Sequence, residues 1–322
     1  LTVHDSPVIN IQSLASLANL RSLGLFSLPI STIEPLGNLV NLQKLTLYNL
    51  SVGDLNALSN LTNLQTLRLL SLDQIGTIEP LANLVNLKEL ELAVSRVSDI
   101  KVLSNLTNLQ ELHLNVIGTE VSYLRPLENL THLRALFLFG AQVSDISFLS
   151  HLTNLQDLYI SHTGARNIEP LGNLVNLEKL HLDDMQVGDI SALAKLPKLH
   201  TLSLDRSQVT NVKPLSNLIT LRYLALYEAN DQDIELIGNL TNLKWLYLYG
   251  AQAVDIRPIA NLTNLEVLSL DELMISDVSA LSQLPELQDL TVSVTRVSDI
   301  RSLARLTNLK SLSLSAANPI DF

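Results

Sequence analysis

A chain of 322 residues with 21 Lys and Arg against 32 Asp and Glu carries a formal net charge of −11, and it contains no cysteine. The missing thiols exclude a disulfide framework and thiolate metal sites. The acidic balance argues against nucleic acid and anionic lipid as partners, since both are bound by Lys and Arg displacing counterions, and no run of about 18 apolar residues is present to enter a membrane.

The chain opens on a partial turn, Leu1 to Asn19, in which Val8, Ile11, Leu14 and Leu17 are spaced by three. From Leu20 a leucine then recurs at Leu42, Leu64, Leu87, Leu109, Leu133, Leu155, Leu177, Leu199, Leu221, Leu243, Leu265, Leu287 and Leu309. The step is 22 residues, apart from one of 23 after Leu64 and one of 24 after Leu109. A fixed period of this length marks an architecture that grows by stacking turns, not by enlarging one core. Residues 1–322 are therefore expected to form one domain, although the length alone would suggest two.

Numbered from that leucine, each turn has apolar residues at positions 1, 4, 6, 11, 14, 17 and 20, as in Leu87, Leu90, Leu92, Val97, Ile100, Leu103 and Leu106. Positions 3 to 7 alternate, which is the period of a strand with positions 4 and 6 turned inward. Positions 14, 17 and 20 have the spacing of a short 3₁₀-like or helical stretch. Asp54, Asp99, Asp145, Asp189, Asp277 and Asp299 at position 13 are placed to cap that stretch. Pro35, Pro80, Pro126, Pro170, Pro214 and Pro258 fall early in it, where a missing N–H costs little. The expected fold is α/β: a right-handed solenoid of about 14 turns, with a parallel sheet on the concave face and 3₁₀, short helical or extended segments on the convex face.

The segments Asn60-Leu-Thr-Asn-Leu64, Ser98-Asp-Ile100 and Asn261-Leu-Thr-Asn-Leu265 resemble the 22-residue leucine-rich repeats of bacterial internalins, and the resemblance covers nearly the whole chain. It implies a bacterial surface or secreted protein that recognises a host protein through its concave face. Gly140-Ala-Gln-Val-Ser-Asp-Ile146 is more similar to repeats of cytosolic bacterial proteins, including sensor regions of signalling NTPases. A ligand-sensing region of a larger cytoplasmic signalling or effector protein is therefore the alternative. One departure from the family stands out. Position 9, usually an asparagine whose amides form a ladder, holds Leu28, Leu50, Ser95, Ala141, Thr163, Met185, Ser207, Ala229, Ala251 and Leu273. Asparagine recurs instead at position 22, in Asn41, Asn63, Asn86, Asn108, Asn154, Asn176, Asn242, Asn264 and Asn308. These amides are expected to satisfy backbone groups between turns. The turns at both ends are partial and show no polar cap, as expected of a fragment.

Ten of the aromatic residues fall at positions 3, 5 and 7, which point out of the sheet: Phe26, Tyr48, Phe137, Phe139, Tyr159, Tyr223, Tyr227, Trp245, Tyr247 and Tyr249. Tyr123, Phe148 and Phe322 lie elsewhere. Strands favour aromatics, but that preference does not gather them into two groups, Phe137, Phe139 and Tyr159 in one and Tyr223, Tyr227, Trp245, Tyr247 and Tyr249 in the other. Beside them lie His181, Asp183, Asp184, Asp205, Arg206, Glu228, Asp271 and Glu272. Asp183 and Asp205 share position 7 on neighbouring strands and would repel unless a cation such as Arg206 intervenes.

Exposed aromatic clusters mark interaction sites, and Trp and Tyr dominate interface energetics. The expected binding surface comprises Phe137, Phe139, Tyr159, His181, Asp183, Asp205, Tyr223, Tyr227, Trp245, Tyr247, Tyr249 and Asp271. Its expected partner is a protein presenting basic and apolar side chains. A glycan is the alternative, since aromatic platforms beside carboxylates also hold sugars. His181, Asp183 and Asp205 could be drawn as an acid–base group, but on an open face little would tune them. No Gly-rich phosphate loop, metalloprotease motif or nucleophile elbow occurs, and no spacing of ligands marks a metal. The reading is therefore a binding module with no catalytic group, metal or cofactor.

Overall fold

The computed structural model describes all residues except 94, 141, 142, 298 and 317–322, so Ala141 at position 9 and the aromatic Phe322 lie outside the described residues. The chain divides into two compact units, Leu1–Ala165 and Arg166–Phe322. In the first, β1 (Thr2–His4), β2 (Ser22–Phe26), β3 (Lys44–Tyr48), β4 (Thr66–Leu70), β5 (Glu89–Ala93), β6 (Glu111–Asn115), β7 (Ala135–Phe139) and β8 (Asp157–Ser161) pair in parallel, each with the next. In the second, β9 (Lys179–His181), β10 (Thr201–Leu204), β11 (Tyr223–Tyr227), β12 (Trp245–Tyr249), β13 (Val267–Asp271), β14 (Asp289–Thr295) and β15 (Ser311–Ala316) do the same. Each unit is a leucine-rich repeat solenoid, and the strands occupy the alternating positions 3 to 7.

The register matches one position to the same position one turn on. Leu23, Leu45, Leu67, Leu90 and Leu112 form one inward row, and Leu25, Leu47, Leu69, Leu92 and Leu114 form the next. All ten are buried. Removing a leucine side chain from water contributes roughly 1.5–3 kcal/mol, so the core is a sum of small equal gifts from successive turns, each needing its neighbours.

The spacing of three on the opposite side is also a hydrogen-bond period. Leu36 N–H donates to the Ile33 carbonyl, Leu39 N–H to Leu36 and Leu42 N–H to Leu39, each at 2.9 Å. The same i to i+3 chain recurs in other turns, through Leu58, Leu61 and Leu64 or Leu171, Leu174 and Leu177. Five-residue 3₁₀ segments such as Glu34–Asn38 and Glu169–Asn173 result. The aspartate at position 13 acts one residue before the N-cap: its carboxylate accepts the N–H two residues on, as in Asp54 with Asn56, Asp145 with Ser147 and Asp277 with Ser279 at 2.8–2.9 Å.

The position-22 asparagines form the expected ladder. Asn41, Asn63, Asn86, Asn108, Asn154, Asn242, Asn264 and Asn308 each donate Nδ2–H to the carbonyl of residue 18, 40, 62, 85, 131, 219, 241 or 285 in the preceding turn, at 2.7–2.9 Å. Where the asparagine is replaced, His132 Nδ1 lies 3.0 Å from the Thr107 carbonyl at the equivalent place, and the Thr220 hydroxyl donates two residues further on, to the Leu199 carbonyl at 2.7 Å. Position 9 is apolar packing instead, since Leu28, Leu50, Met185, Ala229, Ala251 and Leu273 are buried. Ser207 meets its burial by donating to the Leu182 carbonyl. The Thr163 hydroxyl is buried without a partner among the described residues, and nothing in the structure explains it.

Two local features depart from simple periodicity. Position 8 takes positive φ in many turns, at Ser27, Asn49, Ser71, His162, Asp184, Arg206, Glu228 and Glu272 as well as at Gly250. This left-handed residue ends the outward strand, so the chain turns away just beyond position 7. In the turn that begins at Leu221 the 3₁₀ segment gives way to an α-helix, α1 (Asp231–Ile237). Asn230 caps it by accepting from Gln232 and Asp233, and Asp233 returns the bond to the Asn230 N–H.

Candidate functional site

Because alternate strand residues face opposite sides, positions 3, 5 and 7 of every strand stand in three outward rows. In the first unit the position-5 row runs Gly24, Thr46, Arg68, Glu91, His113, Phe137 and Tyr159. Three of its rings stack. His113 and Phe137 have centroids 4.0 Å apart at 14°, and Phe137 and Tyr159 are 4.5 Å apart at 15°. Adjacent strands lie about 4.8 Å apart, which brings rings sharing a row within reach of stacking. His113 Nε2 lies 2.6 Å from the Glu111 carboxylate, and Arg68 pairs with Glu91 at 3.4 Å. Phe139 stands in the neighbouring row and makes no ring contact among the described residues. Near the start of the unit, Phe26 and Tyr48 meet at 6.3 Å, and Tyr48 is 41% exposed.

The second unit carries the richer surface. Tyr223 and Tyr247 lie 5.4 Å apart at 36°, and Tyr247 and Tyr249 lie 6.4 Å apart at 22°. His181 reaches Tyr223 at 6.4 Å. Trp245 is covered on one side by the Lys244 ammonium, 5.9 Å from the ring centroid, a cation–π geometry. Tyr227 lies against Gly250: a Cβ there would stand 2.9 Å from the ring, so a glycine both accepts the positive φ and admits the tyrosine. All five aromatic side chains are half-buried, leaving part of each ring to solvent.

The acids are wired to these rings. Asp183 accepts from Ser203 Oγ at 2.5 Å and from the Asp205 N–H at 3.2 Å, and His181 Nδ1 lies 3.7 Å away. Burial pushes the Asp183 pKa up, but the bonds from His181 and Ser203, the charge of His181 and the Asp205 N–H together hold it below the ordinary value. Asp205 moves the other way. Its burial raises the pKa, Arg206 opposes that, and Asp183 and Asp184 add to it. Arg206 does not bridge Asp183 and Asp205; it pairs with Asp184 at 3.6 Å. Asp271 accepts from the Ser293 hydroxyl.

Burial, the neighbouring phenols Tyr247 and Tyr249, and then Asp183 and Asp205 push the Tyr223 pKa up to about 12. Burial, Asp205, Tyr247 and Asp271 raise that of Tyr249. Both phenols therefore stay neutral hydrogen-bond donors in neutral solution.

The structure thus brings together His181, Asp183, Asp205, Tyr223, Tyr247, Tyr249 and Asp271 as one electrostatically linked set, with Trp245 and Tyr227 beside it on the same two strands. Phe137 and Tyr159 belong to the stack in the first unit. Sequence reasoning did not single out His113 or Ser203. The signal for both was position 5, shared with Phe137 and Tyr247, but neither is counted when only Phe, Tyr and Trp are scored. Among the described residues no group of three His, Asp or Glu is placed to hold a metal ion, and no helix is long and apolar enough to cross a membrane.

A family model described as a leucine-rich repeat region matches residues 2–213. Among solved structures, the chain is 31% identical to an internalin (inlF) from Listeria monocytogenes, over 98% of this chain and 86% of that one, with a TM-score of 0.75. A leucine-rich repeat protein of Leptospira interrogans is 23% identical over 99% of this chain and 84% of its own, with a TM-score of 0.83. A plant peptide hormone receptor, RGFR1, solved in complex with RGF2, is 22% identical, and the match covers 98% of this chain and 61% of the receptor chain at a TM-score of 0.63. The last two likenesses concern the fold alone. No curated protein matches the chain.

Proposed function

The chain belongs to the leucine-rich repeat family, whose fold is typical of protein–protein interaction modules, and from that premise we propose that it binds a protein partner through the outward strand positions of its second unit. The single observation that carries this reading is the set of half-exposed rings, Tyr223, Trp245, Tyr247 and Tyr249, gathered on β11 and β12 and edged by Asp183, Asp205 and Asp271. Rings held on two adjacent strands lose little freedom when a partner covers them, and neutral phenols beside carboxylates offer donors, acceptors and charge together. The partner surface that complements them is apolar with Lys or Arg at its rim. The rings of the first unit, His113, Phe137 and Tyr159, are read as a second contact area. The peptide hormone receptor of the same fold was solved in complex with RGF2.

The test is a pulldown from extracts with the intact chain and with Trp245→Ala/Tyr247→Ala as the control, followed by affinity measurement on the partner recovered. The double substitution is expected to cost several kcal/mol of binding, roughly 2 or more for each hot-spot residue. Undiminished binding by the variant would remove the strand face of the second unit from consideration. A glycan recovered in place of a protein would overturn the partner class while keeping the site.

A further inference from the structure

Where the chain enters its strands, the second unit gathers cations on successive turns despite the overall balance of −11. Position 2 of five successive turns reads Glu178, His200, Arg222, Lys244 and Glu266. In the first unit the basic residues at this position, Arg21, Lys88 and Arg134, are separated by Gln43, Gln65 and Gln110. Lys198, His200, Arg222 and Lys244 line one groove of about 650 Å³, together with the ladder amides Asn242 and Asn264.

The groove's cations are unevenly compensated. His200 Nε2 lies 3.7 Å from Glu178, and Lys244 Nζ lies 2.5 Å from Glu266. Lys198 Nζ meets a neutral acceptor, the Asn176 amide oxygen, at 2.7 Å. Arg222 forms no ion pair among the described residues; its backbone, not its guanidinium, is engaged by His200 and Lys244. Of the three full positive charges that line the concavity, Lys198 and Arg222 therefore have no carboxylate paired to them among the described residues. Asn242 and Asn264 each spend one amide hydrogen on the carbonyl of the preceding turn, at 2.7 and 2.9 Å. An amide has two such hydrogens, so each retains one donor.

We propose that this groove is a binding site for a doubly charged tetrahedral oxyanion, a phosphate or sulfate group. Arg222 would supply the bidentate fork, Lys198 the second charge, and the ladder amides neutral donors. A dianion matches the two uncompensated charges, and a phosphate monoester carries about −1.5 to −2 at neutral pH. The proposal does not depend on the aromatic surface, whose complement is basic.

The test is calorimetric titration of the intact chain with inorganic phosphate and with inorganic sulfate at low ionic strength. Saturable binding at one site is expected. Arg222→Gln should weaken it about tenfold, and Lys198→Gln should weaken it several-fold. Lys310→Gln is the control: Lys310 also donates to a neutral amide, Gln288 at 2.9 Å, but stands outside the groove. It removes the same charge and should leave binding unchanged. A phosphoserine peptide of otherwise neutral sequence separates the sources: tighter binding than inorganic phosphate assigns the site to a phosphorylated side chain, and equal binding assigns it to the free ion. Heat that never saturates, or an equal loss in Lys310→Gln, would overturn the site. Unchanged melting temperatures would exclude unfolding as the cause of any loss.

Discussion

Asp183 and Asp205 are the same residue type at the same repeat position on successive turns, yet their surroundings shift them in opposite directions. For Asp183, burial is outweighed by His181, Ser203 and the Asp205 N–H, and its folded pKa falls below the usual value near 4. A lowered carboxyl pKa contributes stability above the unfolded value, and that contribution is lost as pH falls through the folded one. For Asp205, burial and the charges of Asp183 and Asp184 raise the pKa despite Arg206, so its ionised form opposes folding at neutral pH. Asp183→Asn should therefore lower the melting temperature at pH 7, and the deficit should shrink on acidification below about pH 4. Asp205→Asn should raise the melting temperature at pH 7. Thermal melts across pH decide it, and two substitutions moving stability the same way would refute the assignment. A carboxylate only partly compensated by Arg206 and kept beside Tyr223 and Tyr249 at a cost in stability is what a site awaiting a cationic group would show.

At the level of the repeating segments, periodicity exposed most of the fold, because in this architecture the side-chain period and the hydrogen-bond period coincide. Alternation at positions 3 to 7 located the strands, and the spacing of three at positions 14, 17 and 20 located the bonds that run from one buried residue to the next. The position-22 ladder was inferred from asparagines alone, and it offers a clean measurement. Asn63 and Asn154 donate to Val40 and Thr131, far apart in the first unit and without a shared partner. Each substitution to alanine should cost about 0.5–1.5 kcal/mol, and the double variant should lose their sum within about 0.5 kcal/mol. Denaturant titration of the four chains is the readout; no loss in either single variant would mean that water replaces the ladder at no cost.

Other segments were not legible, for local reasons. Position 8 adopts positive φ while holding Ser, Asn, His, Asp, Arg and Glu, and of the two glycines at that position, Gly140 and Gly250, only Gly250 has a positive φ, so glycine does not mark the conformation. Helix α1 arises where Asp231 takes the apolar place at position 11. Its carboxylate accepts from Val254 and Asp255, and the Asn230–Asp233 capping box starts a helix early. A pattern built from apolar spacing is silent about such a polar substitution. The stack of His113 on Phe137 was equally hidden, because it depends on a histidine lying flat at the strand spacing.

Across the chain, repetition sets the scaffold and departure from repetition sets the chemistry. Inward positions repeat leucine, whereas the outward rows and position 2 differ from turn to turn, and there the charge is placed: acids with tyrosines at the ends of the second unit's strands, and His200, Arg222 and Lys244 between Glu178 and Glu266 at their entry. A net charge of −11 should then act at long range on a basic partner, raising its encounter rate, while the rings govern how long it stays. Screening separates the two effects, since the Debye length is about 10 Å at 0.1 M salt and about 3 Å at 1 M. Asp183→Lys/Asp205→Lys should slow association with the partner about tenfold or more at low salt, and the difference from the unaltered chain should close as salt rises. Trp245→Ala/Tyr247→Ala should instead speed dissociation with little change in the salt dependence of the on-rate. Stopped-flow mixing over a salt series measures both. If charge reversal left the on-rate unchanged at low salt, the acids would be a solvated edge and the rings alone would carry recognition.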